Sequence, residues 1–87
     1  MLSAYSGEGP EPIGFYITPK FSLLFFLSIY DPLRVANEIS GKKLFSYKII
    51  SESGGLVTAA NGMTVLSNAS ISEVDFMPTV VVCSGYE

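Results

Sequence analysis

Residues 31–55, DPLRVANEISGKKLFSYKIISESGG, join the end of a helix to a strand through a very short loop. Asp31 and Pro32 are typical of a helix start, and Gly41 is typical of a helix end. Residues 44–51 then carry the apolar and aromatic side chains of a strand. Because a helix that returns directly to a strand is the unit from which parallel sheets are built, this stretch favours an α/β fold.

The chain before Asp31 divides into a leader, a strand and a helical region. Residues 1–12 are rich in Gly, Pro and Glu, which predicts a flexible leader before a domain that spans residues 13–87. Residues 13–18, IGFYIT, predict the first strand. Residues 22–39 repeat apolar side chains at helical spacing, with Ser22 as the predicted N-cap.

Pro32 lies inside this helical pattern and leaves two interpretations. It either kinks one helix or occupies the first position of a second helix, with Asp31 as the cap. We favour two helical segments that run nearly end to end, because Asp-Pro is a good helix start.

The second half of the chain is rich in strand patterns. Residues 56–60 and 63–67 flank Asn61-Gly62, which predicts a hairpin with a two-residue type I′ turn. After a connecting segment, residues 79–85, TVVVCSG, form a β-branched run without alternation, which predicts a strand buried on both faces. The predicted order is therefore strand, helix, strand, hairpin, strand.

This element order predicts a parallel sheet with helices on both faces, yet it supplies only one helical region. The chain is 48% hydrophobic and 15% charged over 87 residues, which is more apolar surface than a small domain can bury by itself. We therefore expect the first half of a larger domain, with exposed sheet edges and a tendency to aggregate.

Composition excludes several kinds of site. The chain has no histidine and one cysteine, so it cannot form an internal disulfide or supply a Ser-His-Asp or Cys-His catalyst by itself. Its five Lys and Arg residues are scattered and its net charge is −3, which argues against direct contact with nucleic acid. The apolar run at residues 21–30 is too short to span a membrane.

Three motifs occur in the same order as in a known family. They are Pro-Lys-Phe-Ser at residues 19–22, Asp-Pro-Leu-Arg with Ala-Asn at residues 31–37, and the Ser-x-x-Gly-Gly pattern with its Val and closing Asn-Gly at residues 51–62. Together they resemble the N-terminal domain of GlxA-type regulators of the AraC family. That domain belongs to the ThiJ/PfpI group of the class I glutamine amidotransferase-like superfamily, and the resemblance covers residues 13–87.

The resemblance implies the first half of a flavodoxin-like doubly wound sheet, ordered β-α-β-hairpin-β and incomplete. It implies a small-molecule-sensing and dimerisation domain that needs no cofactor, has no membrane segment and works in the cytoplasm. The implied partners are a small nitrogen-containing metabolite, such as an amino acid or betaine, and a second copy of the chain. DNA would be bound only by a C-terminal helix-turn-helix module that is absent from this chain.

The resemblance also bears on catalysis. Enzymes of the superfamily carry an acidic residue near the start of the first helix, and the corresponding position here lies near Phe25. No Asp or Glu occurs between Gly14 and Tyr30, so we predict no catalytic residue and no enzyme. Cys83 follows a buried strand, but the superfamily nucleophile comes from a later turn, and we expect Cys83 to be an inert core thiol.

The predicted ligand-binding residues lie after the first and last strands, because α/β folds bind ligands at the carboxyl ends of their strands. They are Lys20, Ser22, Ser84, Gly85 and Tyr86. Ser22 and residues 84–86 also have purely structural alternatives. Ser22 would then be only a helix cap, and residues 84–86 only a turn. We predict no metal site.

Two other functions stay open on the sequence alone. The chain could be the N-terminal part of a ThiJ/PfpI-type hydrolase, hydratase or amidotransferase-like enzyme whose nucleophile lies downstream. It could also be a self-associating protein that buries its sheet edge in an oligomer. Arg34 and Asn37 share a helix face, where we expect a helix-surface or subunit contact rather than a ligand role.

Overall fold

The computed structural model describes residues 9–85. These residues contain one α-helix, six strands and one 3₁₀ turn. In chain order they are β1 (Glu11–Ile17), α1 (Leu23–Ser40), β2 (Phe45–Ser51), β3 (Gly55–Thr58), β4 (Thr64–Ser67), β5 (Ala69–Ser70), a 3₁₀ turn (Ile71–Glu73) and β6 (Thr79–Cys83). One sheet has the order β5-β2-β1-β6 with parallel pairing throughout, and β3 and β4 form a separate antiparallel hairpin.

The first strand begins earlier than the sequence predicts. Glu11 is paired with Phe45, and its backbone N–H donates to the Leu44 carbonyl at 2.9 Å. Glu11 and Pro12 therefore belong to the sheet rather than to the predicted leader, because pairing with β2 holds their backbone extended. Residues 1–8 of that leader lie outside the described residues.

The helical region is one continuous helix, and the prediction of two segments is wrong. The Ser22 side chain accepts the Phe25 N–H at 3.1 Å, and Gly41 ends the helix at a φ of 70°, as predicted. Pro32 lies inside the helix. A proline has no N–H to donate to the carbonyl four residues earlier, which here is that of Ser28. Pro32 and Ser28 are both exposed, so this carbonyl lies on the solvent side.

An aromatic cluster holds α1 against the sheet across this proline. Phe15 of β1 meets Phe26 edge-on at 5.4 Å between ring centroids and Tyr30 at 5.6 Å. Phe26 and Tyr30 are themselves stacked at 5.1 Å, and Leu33 packs against the same core. This buried stripe is unbroken on both sides of Pro32, which explains why tertiary packing keeps a single helix.

The hairpin forms as predicted, but its turn does not. The loop Ala60–Gly62 has three residues, closed by a bond from the Ala59 N–H to the Met63 carbonyl at 2.7 Å. Within the described residues only Gly62 of this loop has a positive φ, at 93°. A type I′ turn would need positive φ at both Asn61 and Gly62, so the loop is instead a turn followed by a glycine bulge.

The segment predicted to be only a connection contributes a short strand. β5 pairs with β2 through Ile50 and Ser51. Asn68, just before it, extends this contact because its N–H donates to the Ile49 carbonyl at 2.6 Å and its side-chain oxygen accepts the Ile49 N–H at 2.7 Å. Two residues are too short for a strand pattern to be visible in the sequence.

The last strand is shorter than predicted and is not buried on both faces. Cys83 is buried and Val81 half-buried on the side of the sheet that α1 covers. Val80 and Val82, on the other side, are 47% and 59% exposed. The prediction assumed a helix on each face, and the described residues supply a helix to one face only.

The observed architecture confirms the predicted fold class. It is α/β with a mostly parallel sheet and one helix, consistent with part of a flavodoxin-like fold. The described residues, 9–85, include no helix with both the length and the hydropathy needed to span a membrane.

Candidate functional site

A pocket of about 390 Å³ opens at the carboxyl ends of β1 and β2, where α/β sheets commonly bind ligands. Three chain segments form its walls: the end of β1 with the turn that follows, the loop after β2, and strand β3. The lining residues are Tyr16, Ile17, Thr18, Pro19, Ser51, Glu52, Ser53, Gly54, Leu56, Val57 and Thr58.

A buried chain of hydrogen bonds fixes the loop after β2. The Gly54 N–H donates to the Ser51 hydroxyl oxygen at 2.8 Å, and the Ser67 hydroxyl donates to the Gly55 carbonyl at 2.7 Å. The two hydroxyl groups are 2.9 Å apart, so the remaining proton, that of Ser51, lies between them. Both serines are buried, and a satisfied polar chain of this kind rigidifies the wall of the pocket.

An acidic residue and an aromatic residue both line the pocket. They are Glu52, on the loop after β2, and Tyr16 of β1. Hydroxyl groups of Thr18 and Thr58 add donors and acceptors. Such a set can bind a positively charged nitrogen through charge and through the ring face.

Lys20 lies beside this pocket, in a second and more open hollow. The two share Pro19 and Thr58, so Lys20 and Glu52 line neighbouring spaces. The hollow is also lined by Ala59, Ala60 and Gly62 of the hairpin, and it measures about 610 Å³. Opposite charges on two sides of one region suit a ligand with two charged ends.

The backbone of Lys20 adopts a conformation that lysine rarely takes. Its φ is 66°, in the left-handed region that costs roughly 1 kcal/mol outside glycine. Two backbone bonds to the hairpin hold it: the Lys20 N–H donates to the Thr58 carbonyl at 2.8 Å, and the Ala60 N–H donates to the Phe21 carbonyl at 2.9 Å. The turn after β1 and the hairpin are therefore one rigid unit.

The other predicted ligand residues lie on the β6 side of β1. Phe21 and Gly85 form an isolated bridge, which places Ser22 and Ser84 near the same edge as Lys20. Ser22 caps α1. The Gly85 N–H donates to the Thr18 hydroxyl at 3.2 Å, and a Cβ at Gly85 would collide with the Lys20 carbonyl.

These contacts change what the predicted residues can offer a ligand. Ser84 is exposed, whereas the N–H of Gly85 is already occupied. Tyr86 lies outside the described residues. Lys20 is a predicted residue that lines the hollow beside the pocket.

Sequence reasoning missed Tyr16, Glu52 and Thr58. The loop after β2 follows a parallel strand beside β1, so strand adjacency alone could have pointed to Glu52. Thr58 could not have been found this way, because it reaches the site through the fold of the hairpin over the carboxyl end of β1.

Cys83 has the environment of a core thiol. It is 1% exposed, and burial raises its pKa above the ordinary value, which keeps it protonated and weakly nucleophilic at neutral pH. Phe25, near the position where the resemblance places the acid of the superfamily enzymes, is 45% exposed. Residues 9–85 also hold no group of three or more His, Cys, Asp or Glu side chains arranged to bind a metal ion.

Asn37 and Arg34 have separate roles. The Asn37 side-chain oxygen accepts the N–H groups of Leu44 at 2.8 Å and Phe45 at 3.0 Å, and its amide donates to the Phe45 carbonyl at 2.9 Å. Asn37 thus ties α1 to the start of β2. Arg34 instead pairs with Asp31 at 2.9 Å and with Glu38 at 3.1 Å on the helix surface.

Comparison with known proteins finds relatives along most of the chain. It is 33% identical over 78 residues to the HTH-type transcriptional regulator GbdR of Pseudomonas aeruginosa, which is 90% of this chain and 21% of GbdR. It is 31% identical over 87 residues to the HTH-type transcriptional regulator GlxA of Rhizobium meliloti, covering 100% of this chain and 27% of GlxA. The regulator CdhR of P. aeruginosa is 36% identical over 73 residues, covering 84% of this chain and 21% of CdhR.

A solved structure shares the fold. The crystal structure of an AraC family transcriptional regulator from Pseudomonas putida superposes with a TM-score of 0.77 at 24% identity, over 90% of this chain and 49% of that one. No protein-family profile matches the chain. The chain spans about a fifth to a quarter of the length of the curated relatives, between 21% and 27%.

Proposed function

Because this chain is homologous, over 84% to 100% of its length, to part of the AraC-family HTH-type transcriptional regulators, we propose that it is a small-molecule-sensing and dimerisation domain of such a regulator. The domain is non-catalytic and cytoplasmic. DNA is bound by a separate helix-turn-helix module, since the five basic residues of this chain are scattered.

The pocket at the carboxyl ends of β1 and β2 is the single observation that carries the sensing role. Glu52 and Tyr16 both line it, and Lys20 lines the adjoining hollow. A small zwitterion fits this arrangement. Its positively charged nitrogen lies near Glu52 and Tyr16, and its carboxylate lies toward Lys20. This chemistry supports a nitrogen-containing metabolite such as an amino acid or a betaine.

Ligand binding acts through the rigid unit that surrounds the pocket. The loop after β2 is fixed by the Ser51–Ser67 bond, and the turn at Lys20 is fixed to the hairpin. Both are tied to the same hairpin, so a ligand that binds between them stabilises the geometry in which they are held. If the dimer has two geometries and the ligand binds one of them more tightly, the difference in binding free energy shifts the equilibrium toward that geometry. The attached DNA-binding module then responds to the ligand.

The chemistry of the described residues supports a sensor rather than an enzyme. The buried Cys83 thiol has a raised pKa, and the position near Phe25 offers no acid. Neither side chain can serve as a nucleophile or as a general acid at this sheet edge.

Calorimetric titration of the 87-residue chain with glycine betaine and with a neutral amino acid tests the proposal. Heat of binding is expected for at least one of them, and Glu52→Gln is expected to weaken it by about threefold to tenfold, as for a solvent-accessible charge contact. Glu73→Gln is the matched control, because Glu73 lies in the 3₁₀ turn and does not line the pocket.

Two results would decide against the proposal. The first is no binding of any zwitterion by wild-type chain that circular dichroism shows to be folded. The second is an equal loss of affinity in Glu52→Gln and Glu73→Gln, which would place the ligand away from this pocket.

A further inference from the structure

The tip of the hairpin places an asparagine side chain beside an unhindered backbone segment. The loop between β3 and β4 contains Asn61, which is followed directly by Gly62. Both residues are exposed, and a Cβ built on Gly62 would meet no atom within 4 Å. The backbone around Gly62 is therefore open to solvent and free of crowding. An asparagine next to such a glycine can cyclise onto the glycine nitrogen.

The Asn61 side chain is held over the backbone that follows it. Its Oδ1 accepts the N–H of Met63 at 3.1 Å, which forms an Asx turn. This turn folds the side-chain carbonyl carbon, Cγ, toward the Gly62 nitrogen that can attack it. The Met63 N–H also polarises the carbonyl group, and it stabilises the negative charge that develops on Oδ1 during an attack.

We infer that Asn61-Gly62 is a site of spontaneous imide formation, at which the folded chain converts Asn61 to aspartate and isoaspartate. The Gly62 nitrogen gives its proton to solvent hydroxide and forms a bond to Cγ of Asn61. The bond from Cγ to Nδ2 then breaks, and Nδ2 takes a proton from water and leaves as ammonia. A second water molecule opens the cyclic imide at either of its carbonyl groups, which yields the two products.

One hydrogen bond opposes the reaction and limits its rate. The Gly62 N–H donates to the Ala59 carbonyl at 3.0 Å, and this bond must open before the nitrogen can lose its proton. It lies at an exposed loop tip, where such openings cost little free energy. The hairpin does not have to unfold, because the bond from the Ala59 N–H to the Met63 carbonyl does not involve Gly62.

The other two side-chain amides of the chain lack these conditions. They belong to Asn37 and Asn68, and the chain has no glutamine. The Asn37 side chain bonds to Leu44 and Phe45 through both its oxygen and its amide group. The Asn68 oxygen accepts the Ile49 N–H at 2.7 Å, and the residue that follows Asn68 is an alanine, whose Cβ hinders the attacking nitrogen. Breaking such a bond first slows a reaction by roughly tenfold.

The product carries a charge where the hairpin tip has none. Residues 59–63 contain no charged side chain, and Ala60 and Gly62, on either side of Asn61, line the hollow that Lys20 also lines. Conversion makes the net charge of −3 more negative by one and sets a carboxylate beside this hollow. Isoaspartate also adds a methylene group to the backbone of the loop whose Ala60 N–H anchors the hairpin to the turn after β1.

A time course of the folded chain at neutral pH and physiological temperature tests the inference. Peptide mapping by mass spectrometry is expected to show the Asn61 peptide gaining the mass that separates a hydroxyl from an amino group. The Asn37 and Asn68 peptides are expected to gain it at least roughly tenfold more slowly. Ion exchange separates the more acidic product, fragmentation distinguishes isoaspartate from aspartate, and circular dichroism confirms that the chain stays folded.

Asn61→Ser is the matched control for the site. Serine keeps an oxygen that can accept the Met63 N–H, but it has no amide group to lose. The variant is expected to fold like the wild type and to show no mass gain over the period in which the wild type reacts.

Two variants at Met63 test the role of its N–H. Met63→Pro removes this donor at a position just before β4, and the reaction is expected to slow by roughly tenfold. Met63→Ala keeps the donor and removes a side chain that is 59% exposed, so it is expected to react at the wild-type rate. Amide exchange at Ala60 reports whether the hairpin stays anchored in both variants.

Other outcomes overturn the inference. A folded chain without mass gain at Asn61, an equal gain at Asn68, or aspartate formed without isoaspartate would each exclude imide formation at this site. Equal rates in anchored Met63→Pro and Met63→Ala chains would exclude the role of the Met63 N–H. None of these measurements uses a ligand, so they decide this inference whether or not the chain binds a zwitterion.

Discussion

The two faces of the parallel sheet are made by alternate residues of the same strands, yet they end in different environments. On the helix side, Ile13, Phe15 and Ile17 of β1 are between 0% and 2% exposed. On the opposite side, the last strand leaves Val80 and Val82 about half in solvent. Both faces are apolar in sequence, so the difference comes from what covers them.

The comparison shows that the apolar sequence of β6 does not determine whether both faces of the strand are buried. Valine occupies three successive positions of the strand, and only Val81 packs against the core. The opposite side is covered around Gly14, where Gly14 and Ile50 are buried and the Met77 sulfur lies close to Gly14. Stability is therefore expected to reside on the helix side, and four substitutions test this expectation, from the largest effect to the smallest.

Phe15→Ala removes the ring at the centre of the helix side. Phe15 is fully buried and touches Phe26 and Tyr30, so a loss of about 3–5 kcal/mol in the free energy of unfolding is expected. A chain of this size has little stability to lose, so the cooperative urea transition should disappear. Val82→Ala is the control on the opposite face, expected to cost less than about 1 kcal/mol. Similar losses in the two variants would contradict the comparison.

Asn37→Ala breaks the link between α1 and β2 on the same side. It leaves the N–H groups of Leu44 and Phe45 without the side-chain oxygen that they use, so a loss of about 2–3 kcal/mol is expected. Amide hydrogen exchange should accelerate at these two residues. Glu38→Ala, one residue away but exposed, should cost less than about 0.5 kcal/mol and leave their exchange unchanged.

Gly14→Ala probes the less covered face. The added Cβ would lie 2.8 Å from the Met77 sulfur and 3.2 Å from the Ile50 Cδ1, so a loss of about 1 kcal/mol is expected. Met77 is flexible and can move, which keeps the cost small. In the Gly14→Ala/Met77→Ala double variant the two effects should not add, as a urea titration of all four chains would show. Additive effects would mean that the crowding is elsewhere.

Cys83 gives the smallest effect, and one that depends on pH. Its folded pKa is raised, so the folded chain keeps a proton that the unfolded chain releases. Its contribution to stability is complete below the ordinary pKa, near 9.0, and is lost as pH rises through the raised folded value. Wild type should therefore lose stability relative to Cys83→Ala between these values, by no more than about 1.4 kcal/mol per pH unit. Parallel curves for the two chains would show that burial leaves the thiol unperturbed.

Local sequence signals were sufficient for most of the elements. Ser22 and Gly41 mark the two ends of α1 because their roles depend on side chains and φ angles within a few residues. Local signals failed at Pro32, where the aromatic packing on Phe15 outweighs the missing hydrogen bond. They also failed at the Asn61-Gly62 turn, because the hairpin is anchored to the Lys20 turn by the Ala60 N–H.

The candidate site was predictable in position but not in membership. Strand ends in an α/β fold indicate the edge, and Lys20, predicted on that ground, lines the hollow beside the pocket. Glu52 and Thr58 were not found, because their approach to β1 depends on how the hairpin folds back. The predicted Gly85 N–H is instead used within the protein by Thr18, which no residue pattern could show.

By itself, the sequence determined the α/β class, the order of the elements, the limits of α1 and the resemblance to AraC-family regulators, because each depends on residue type and spacing along the chain. Only the tertiary structure decided the continuity of α1, the exposure of Val80 and Val82, and the roles of Asn37 and Gly85. It also decided that Glu52 and Tyr16 line one pocket. Those properties depend on which distant groups meet, and burial and hydrogen bonding between distant groups are set by packing rather than by local preference.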